Sequence, residues 1–160
     1  MASETTQETR RSLGEWVSEN RDMVWDSLRI FLGFALVVKG FAYLFHHAAL
    51  TEMMAQGGVP FAGPALAEAV ALVHITGGLM MTFGIFTRIG AAIQIPNLIG
   101  AVLFIHLKDG LFTEAQTLEF TVLVLFLLCL ISVVGAGRLS IDWAFAEKRM
   151  RMHEELAPSH

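Results

Sequence analysis

The chain has 160 residues, of which 54% are hydrophobic and only 16% are charged. A soluble domain carries about 25% charged residues, so this composition favours segments that do not face water. The net charge of −4, without a basic patch interleaved with aromatics, gives no indication of nucleic acid as a partner. The single cysteine excludes an intrachain disulfide and a Cys-x-x-Cys pair.

The first segment, residues 1–22, is polar and mixed in charge, and it lacks the apolar core of a cleavable signal peptide. Within it, Glu8–Asp22 places Leu13, Trp16 and Val17 at helical spacing among charged residues. This pattern indicates a short amphipathic helix on the membrane surface, with an irregular tether as the alternative. The first apolar stretch would then act as its own insertion signal.

Four apolar stretches follow, each about as long as a helix that crosses the hydrocarbon core of a bilayer. They are Trp25–Phe45, Ala65–Phe86, Ile89–Leu107 and Leu118–Val134. The sequence therefore predicts an all-α fold, a four-helix transmembrane bundle that occupies a membrane domain at residues 23–137. Pro96, in the middle of the third stretch, predicts a kink there.

The connections between the stretches differ in composition. Ala48–Pro64 contains two prolines and three glycines, which predicts a rigid, non-helical loop that caps the bundle. Thr87–Arg88 alone joins the second and third spans, which predicts a tight antiparallel hairpin. Gly135 to Gly137 stop the fourth span, and residues 138–160 follow as a tail in which Arg138–Leu156 is predicted to be a charged, partly amphipathic helix.

The basic residues lie mostly on one side of this topology. Eight of them flank the spans in the two terminal segments and the short hairpin, whereas the two remaining loops contain only Lys108. The positive-inside rule then predicts that both termini are cytoplasmic. We therefore expect a multi-pass protein of the cell's inner (plasma) membrane, in contact with membrane lipids.

Five ionisable residues in the spans are candidates for an intramembrane pocket or proton relay. A charge inside a bilayer costs several kcal/mol, so such residues usually face the bundle interior and mark a site. At about 1.5 Å per residue, three of them fall in one layer roughly 10–12 Å outside the midplane, one lies about 5 Å outside it, and one lies close to it. The shared layer contains Glu68, His106 and Glu119. Lys39 is the residue about 5 Å outside the midplane, and His74 is the one close to it.

Three of these candidates also have a purely structural interpretation. Lys39 and Glu68 could form a buried ion pair that fixes helix register. His74 could be a neutral imidazole that hydrogen-bonds across helices. Haem is disfavoured, because His106 lies about 10 Å too shallow to act as the second axial ligand beside His74.

A metal site is also disfavoured by the spacing of the possible ligands. The sequence has no Glu-x-x-His pair of the kind that di-iron bundles use. His46 and His47 are adjacent, so on a helix they cannot face the same point.

Arg29, near the start of the first span, is interpreted as an anchor whose charge reaches the interface.

Several motifs occur together between Leu28 and Trp143. They are a Gly-x-Pro loop before an acidic helix start, a Gly-Gly pair in the second span, a Thr-Arg hairpin and a Gly-Ala-Gly-Arg-x-Ser-x-Asp end. In this order they resemble the DoxX family of four-helix membrane proteins. The matching positions are Glu68, Gly77, Gly78, Arg88, Gly135, Gly137, Arg138 and Asp142.

The resemblance implies a function class but no catalytic residues. Relatives include the DoxD-type subunit of a thiosulfate:quinone oxidoreductase, so the resemblance implies a membrane subunit of a quinone-linked oxidoreductase, with a quinone or small molecule in the pocket. Whether the chain is itself an enzyme stays open. The alternative is a non-catalytic accessory or assembly subunit of a larger membrane (respiratory) complex. Either way we expect another protein subunit or a homo-oligomer; a carrier is disfavoured because no inverted repeat is visible.

Overall fold

All regular structure in the described part of the chain is helical. The computed structural model describes residues 21–108, 117–135, 140, 141 and 148. The helices are α1 (Arg21–Phe45), α2 (His47–Gly57), α3 (Pro64–Phe83), α4 (Thr87–Gly100) and α5 (Thr117–Val134). Helix α4 continues through a widened π-type turn, Ala101–Ile105, and a 3-10 turn, His106–Lys108. The all-α prediction is confirmed.

Both predicted terminal helices fall largely outside the described residues. The proposed amphipathic helix at Glu8–Asp22 overlaps them only at Arg21 and Asp22, which open α1. The proposed tail helix at Arg138–Leu156 overlaps them only at residues 140, 141 and 148. The domain limits at residues 22 and 137 therefore stay predictions.

Four helical segments are long and apolar enough to cross a membrane. They are Arg21–Phe45, Pro64–Phe83, Thr87–Ile105 and Thr117–Val134. Each overlaps one predicted span and differs from it by a few residues at most. The chain is thus a multi-pass membrane protein whose spans follow from hydropathy and length alone.

The spans pack in chain order, with α1 on α3, α3 on α4 and α4 on α5. Trp25 Nε1 donates to the Gly135 carbonyl at 3.2 Å, and Arg88 Nη2 donates to the Val134 carbonyl at 3.2 Å. These bonds gather the start of α1, the α3–α4 hairpin and the end of α5 at one end of the bundle, which we term the hairpin end. Helix α2 lies at the opposite end, the α2 end.

Glycines bring α1, α3 and α4 into backbone contact. A Cβ on Gly33 would lie 2.7 Å from the Thr82 nitrogen, and one on Gly78 would lie 2.7 Å from the Gly33 carbonyl oxygen. A Cβ on Gly77 would lie 2.8 Å from the Gly90 carbonyl oxygen. Because lipid tails are as apolar as the side chains, this close approach is what holds membrane helices together.

The predicted loop at Ala48–Pro64 is wrong over most of its length, since α2 occupies His47–Gly57. Alanine, leucine, glutamate, methionine and glutamine dominate α2, and all are strong helix formers. The glycines act only at its end, where Gly58 is left-handed with φ 76° and the Val59 nitrogen donates to the Met54 carbonyl at 3.0 Å. The segment still covers its end of the bundle, because Met54 packs with Ala67 of α3.

The α3–α4 hairpin is tight, as predicted, but its link lies three residues earlier. Helix α3 ends at Phe83, and Gly84 adopts a left-handed conformation with φ 69°. The Gly84 nitrogen donates to the Met81 carbonyl at 3.3 Å, which closes the last turn. Thr87 and Arg88, predicted as the link, already belong to α4.

Candidate functional site

A cavity of about 480 Å³ lies among the helices, and its walls are mostly apolar. Its volume is within the range of about 300–1,000 Å³ that small organic ligands occupy in proteins. The polar side chains in its wall all belong to the parts of the helices nearer the α2 end. They are Lys39, Tyr43, His74, Asn97, His106, Thr117 and Thr121.

His74 is the most buried of these polar residues, with 6% of its surface exposed. Its Nδ1 lies 2.9 Å from the Val70 carbonyl oxygen, one turn earlier on α3. Because a carbonyl can only accept, Nδ1 carries the proton and Nε2 is left as an acceptor. No described residue hydrogen-bonds to Nε2, so a ligand donor can use it.

Two amides on α4 hold this part of α3 in place. The Gln94 side-chain nitrogen donates to the His74 carbonyl at 3.2 Å, and Gln94 is fully buried. The Asn97 side-chain nitrogen donates to the Val70 carbonyl at 3.4 Å and lies 3.3 Å from His74 Nδ1. The Asn97 nitrogen and His74 Nδ1 therefore converge on the Val70 carbonyl, which fixes the imidazole ring against α4.

Helix α1 supplies the other side of the polar group. The Tyr43 ring meets the His74 ring edge to face, with centroids 5.4 Å apart and an interplanar angle of 81°. Lys39 Nζ lies 5.1 Å from the Tyr43 ring centroid, within the range of a cation–π interaction. We term Lys39, Tyr43, His74 and Asn97 the polar group; it joins α1, α3 and α4 inside the apolar cavity.

Three of the five predicted site residues line the cavity, namely Lys39, His74 and His106. Glu68 is exposed and lies outside the cavity wall, and it makes no ion pair with Lys39, which is a correction to the predicted register pair. Glu119 is half-buried with one carboxylate oxygen enclosed, and it also lies outside the wall. Equal depth in the membrane did not bring all of them into one pocket, because depth does not determine which face of a helix a residue occupies.

The hairpin end contains a buried ion pair that sequence reasoning did not identify. Arg29 was predicted to be an interfacial anchor, but it is fully buried, as is Asp26. Arg29 Nε and Nη2 donate to Asp26 Oδ1 at 3.2 and 3.1 Å. Arg29 Nη1 donates to the carbonyls of Met81 and Thr82 in the last turn of α3. An acid three residues before an arginine on a helix was the available signal.

Glycines with positive φ make room for this second polar centre. A Cβ on Gly84 would lie 3.0 Å from Arg29 Nη1 and 2.5 Å from the Ser140 Cβ. A Cβ on Gly135, with φ 86°, would lie 2.7 Å from Arg88 Nε. The guanidinium groups thus fill the space beside the helix ends and satisfy terminal carbonyls, which is a structural role.

The described residues include no group of three or more His, Cys, Asp or Glu side chains that could hold a metal ion. His46 and His47 are both exposed where α1 meets α2. The cavity instead offers donors at Lys39 and Asn97 and an acceptor at His74 Nε2. This combination suits a neutral ligand head that both accepts and donates hydrogen bonds.

Comparison with known proteins gives one match. A family model described as DoxX matches residues 24–107, just over half of the chain. No curated protein and no solved structure matches the chain. The matched region includes most of α1 and all of α2 to α4, and therefore the whole polar group, and it ends before α5.

Proposed function

The chain belongs to the DoxX family of membrane proteins, and we propose that it is the membrane subunit of a quinone-linked oxidoreductase. The quinone is the substrate, and the cavity with its polar group is the binding site. The observation that carries this proposal is a buried imidazole, His74, whose Nε2 is left as an acceptor in the wall of an apolar cavity. The protein lies in the inner (plasma) membrane, with the hairpin end in the cytoplasm, as the basic residues predict.

The polar group matches both members of a quinone–quinol pair. A quinone head carries two carbonyl oxygens that accept hydrogen bonds, and the quinol carries two hydroxyls that donate them. Lys39 and Asn97 supply N–H donors for a carbonyl, and His74 Nε2 accepts from a hydroxyl. Apolar walls around these few groups exclude water, which strengthens each hydrogen bond and fixes the orientation of the head.

Reduction of the quinone requires two electrons and two protons. The electrons come from a reduced donor subunit or a soluble donor, which makes a second protein the expected partner. Lys39 passes a proton to each quinone oxygen in turn, and after each transfer it is reprotonated from the aqueous phase at the α2 end. His106, farther along the cavity wall, extends the same proton route.

Quinone binding to the purified protein in lipid nanodiscs tests the proposal. We expect His74→Ala to weaken binding of a short-chain benzoquinone about tenfold, since one hydrogen bond to a buried group contributes about 1.5 kcal/mol. Glu68→Gln is the matched control, because Glu68 is exposed and lies outside the cavity wall, and it should leave the affinity within about twofold. The absence of quinone binding in the unmodified protein, or an equal loss in both variants, would refute the proposal.

The accessory or assembly role remains the second candidate, and it makes a different prediction. In that role Lys39 and Glu68 act only as a register pair, whereas the described residues contain no ion pair between them. Purification from native membranes distinguishes the two. A stoichiometric partner that keeps full quinone turnover when His74 is replaced by alanine would favour the accessory role.

A further inference from the structure

Toward the hairpin end, the cavity continues past the polar group as an apolar channel between α1 and α5. Its walls include Leu28 and Ala35 of α1 and Leu123 and Leu127 of α5. Along this stretch α1 and α5 make few direct contacts, because each packs instead on the helices between them. The channel therefore results from the packing of the helices in chain order, which leaves space between the first and the last of them.

The channel is closed at one end and open along its side. The bond from Trp25 Nε1 to the Gly135 carbonyl joins α1 to α5 below Leu28. Phe31 and Phe120 line the cavity, yet 71% and 66% of their surfaces remain exposed on the outside of the bundle. A molecule can therefore enter from the surrounding bilayer between α1 and α5, but cannot continue past the hairpin end.

The length of the channel sets the length of chain that it holds. Leu28 and Leu36 are eight residues apart on α1, so the apolar wall is about 12 Å long. An extended hydrocarbon chain advances roughly 1.3 Å per carbon–carbon bond of about 1.5 Å. About nine or ten carbons therefore fit between the polar group and the closed end.

We infer that the ligand is a single-tailed amphiphile with an uncharged head, which enters from the bilayer and lays a tail of about ten carbons in the α1–α5 channel. The identity of the head as a quinone rests on the proposed function. Lys39 is the only Lys or Arg in the described cavity wall, and that wall contains no carboxylate. One cation can polarise a carbonyl oxygen, but in an apolar wall it leaves the second charge of a phosphate monoester uncompensated, so the site matches a neutral head with carbonyl or hydroxyl groups better than such a phosphate.

The tail contributes position rather than affinity. It moves from bilayer hydrocarbon into an equally apolar channel, so the hydrophobic effect provides no net driving force. The test must therefore report where the tail lies. A benzoquinone with a ten-carbon tail that ends in a diazirine does this, after illumination in nanodiscs and mass spectrometry of the protein. We expect cross-links at Leu28 to Leu32 on α1 and at Val124 to Leu127 on α5.

Two results would overturn the inference. One is cross-linking confined to α2, which would place the tail at the wrong end of the cavity. The other is equal labelling of the channel by a diacyl phospholipid with the same diazirine, unaffected by excess tailed quinone, which would make the occupant an ordinary lipid.

A pair of tryptophan variants separates this inference from the proposed function. Ala35→Trp fills the channel, whereas Ala42→Trp places the same bulk on the exposed surface of α1, outside the cavity wall. We expect Ala35→Trp to abolish the channel cross-links of the tailed quinone, because its tail then stays in the bilayer, and to leave binding of the tail-less head within twofold. Ala42→Trp should keep the channel cross-links at the level of the unmodified protein.

The outcomes for the two proposals are distinct. If neither probe binds the unmodified protein, the proposed function fails. If both probes bind and Ala35→Trp leaves the channel cross-links unchanged, the quinone site stands and the tail channel is refuted.

Discussion

Replacing Arg29 with methionine should be among the most destabilising substitutions in the bundle. The guanidinium is fully buried and donates to Asp26 Oδ1 twice, at 3.2 and 3.1 Å. Arg29→Met therefore removes both of these charge-assisted hydrogen bonds from the buried Asp26 carboxylate. Removal of one partner from a buried ion pair costs about 3–5 kcal/mol, which is roughly two to four powers of ten in the unfolding equilibrium.

The backbone bonds of Arg29 add little to that loss. Its Nη1 also donates to the carbonyls of Met81 and Thr82. The Met81 carbonyl still accepts a bond from the Gly84 nitrogen at 3.3 Å, so it does not become unsatisfied. The lost bonds between Arg29 and the Asp26 carboxylate are thus the main cost, and that attribution can be tested separately.

The double variant Asp26→Leu/Arg29→Met isolates the charge effect. Apolar residues of similar volume in place of a buried pair are often neutral in stability. We therefore expect the double variant to recover most of the loss and to lie within about 2 kcal/mol of the unmodified protein. Arg21→Met on the same helix is the control, since Arg21 is exposed and should change stability by no more than about 0.5 kcal/mol.

Reversible unfolding by SDS titration in mixed micelles, followed by tryptophan fluorescence, gives these free energies directly. If Arg29→Met unfolds at the same SDS fraction as Arg21→Met, the buried pair does not stabilise the fold. If the double variant is as unstable as Arg29→Met, packing around the guanidinium, and not the charge on Asp26, causes the loss.

The same titration tests three further substitutions. Gly33→Ala should cost about 1–3 kcal/mol, because its Cβ would lie 2.7 Å from the backbone of α3. Gly100→Ala, with nothing within 4 Å of the new Cβ, should be neutral or slightly stabilising. Equal losses of stability in the two variants would contradict the argument that α1 and α3 approach closely at Gly33. Trp25→Phe removes the 3.2 Å bond to the Gly135 carbonyl and should cost about 1 kcal/mol, whereas no change would show that this bond does not hold α1 to α5. Gln94 is fully buried, but no described residue bonds to its amide oxygen. Gln94→Met should therefore cost no more than about 1 kcal/mol. A loss above about 3 kcal/mol would show that this oxygen has a partner.

The spans were predictable because one property, the length of an apolar run, decides them in a bilayer. Helix α2 was missed because Pro60 and the neighbouring glycines dominated the interpretation of Ala48–Pro64. The residues before them favour helix strongly, and that local preference determines the structure up to Gly57. The glycines then end the helix, as they commonly do.

The candidate site was only partly predictable, because hydropathy gives the depth of a residue but not its face. Buried positions on α3 follow a helical stripe through Ala67, Ala71 and His74. Glu68 is one position away from that stripe, about 100° around the helix, and is exposed. If each ionisable residue had been compared with the helical spacing of the small residues on its span, His74 would have been kept as a site candidate and Glu68 would have been rejected.

The two polar centres of the bundle have separate tasks. The family resemblance rests largely on residues of the hairpin end and the helix contacts. Arg88 bonds the Val134 carbonyl, Gly78 approaches the backbone of Gly33, and the Gly135 carbonyl accepts from Trp25. The polar group, including His74 and Lys39, lies in the cavity nearer the α2 end. The residues that carry the resemblance therefore explain how the bundle closes, whereas the polar group determines what it can bind. Substitutions at the hairpin end should lower stability first, and substitutions in the polar group should lower ligand affinity while the fold persists.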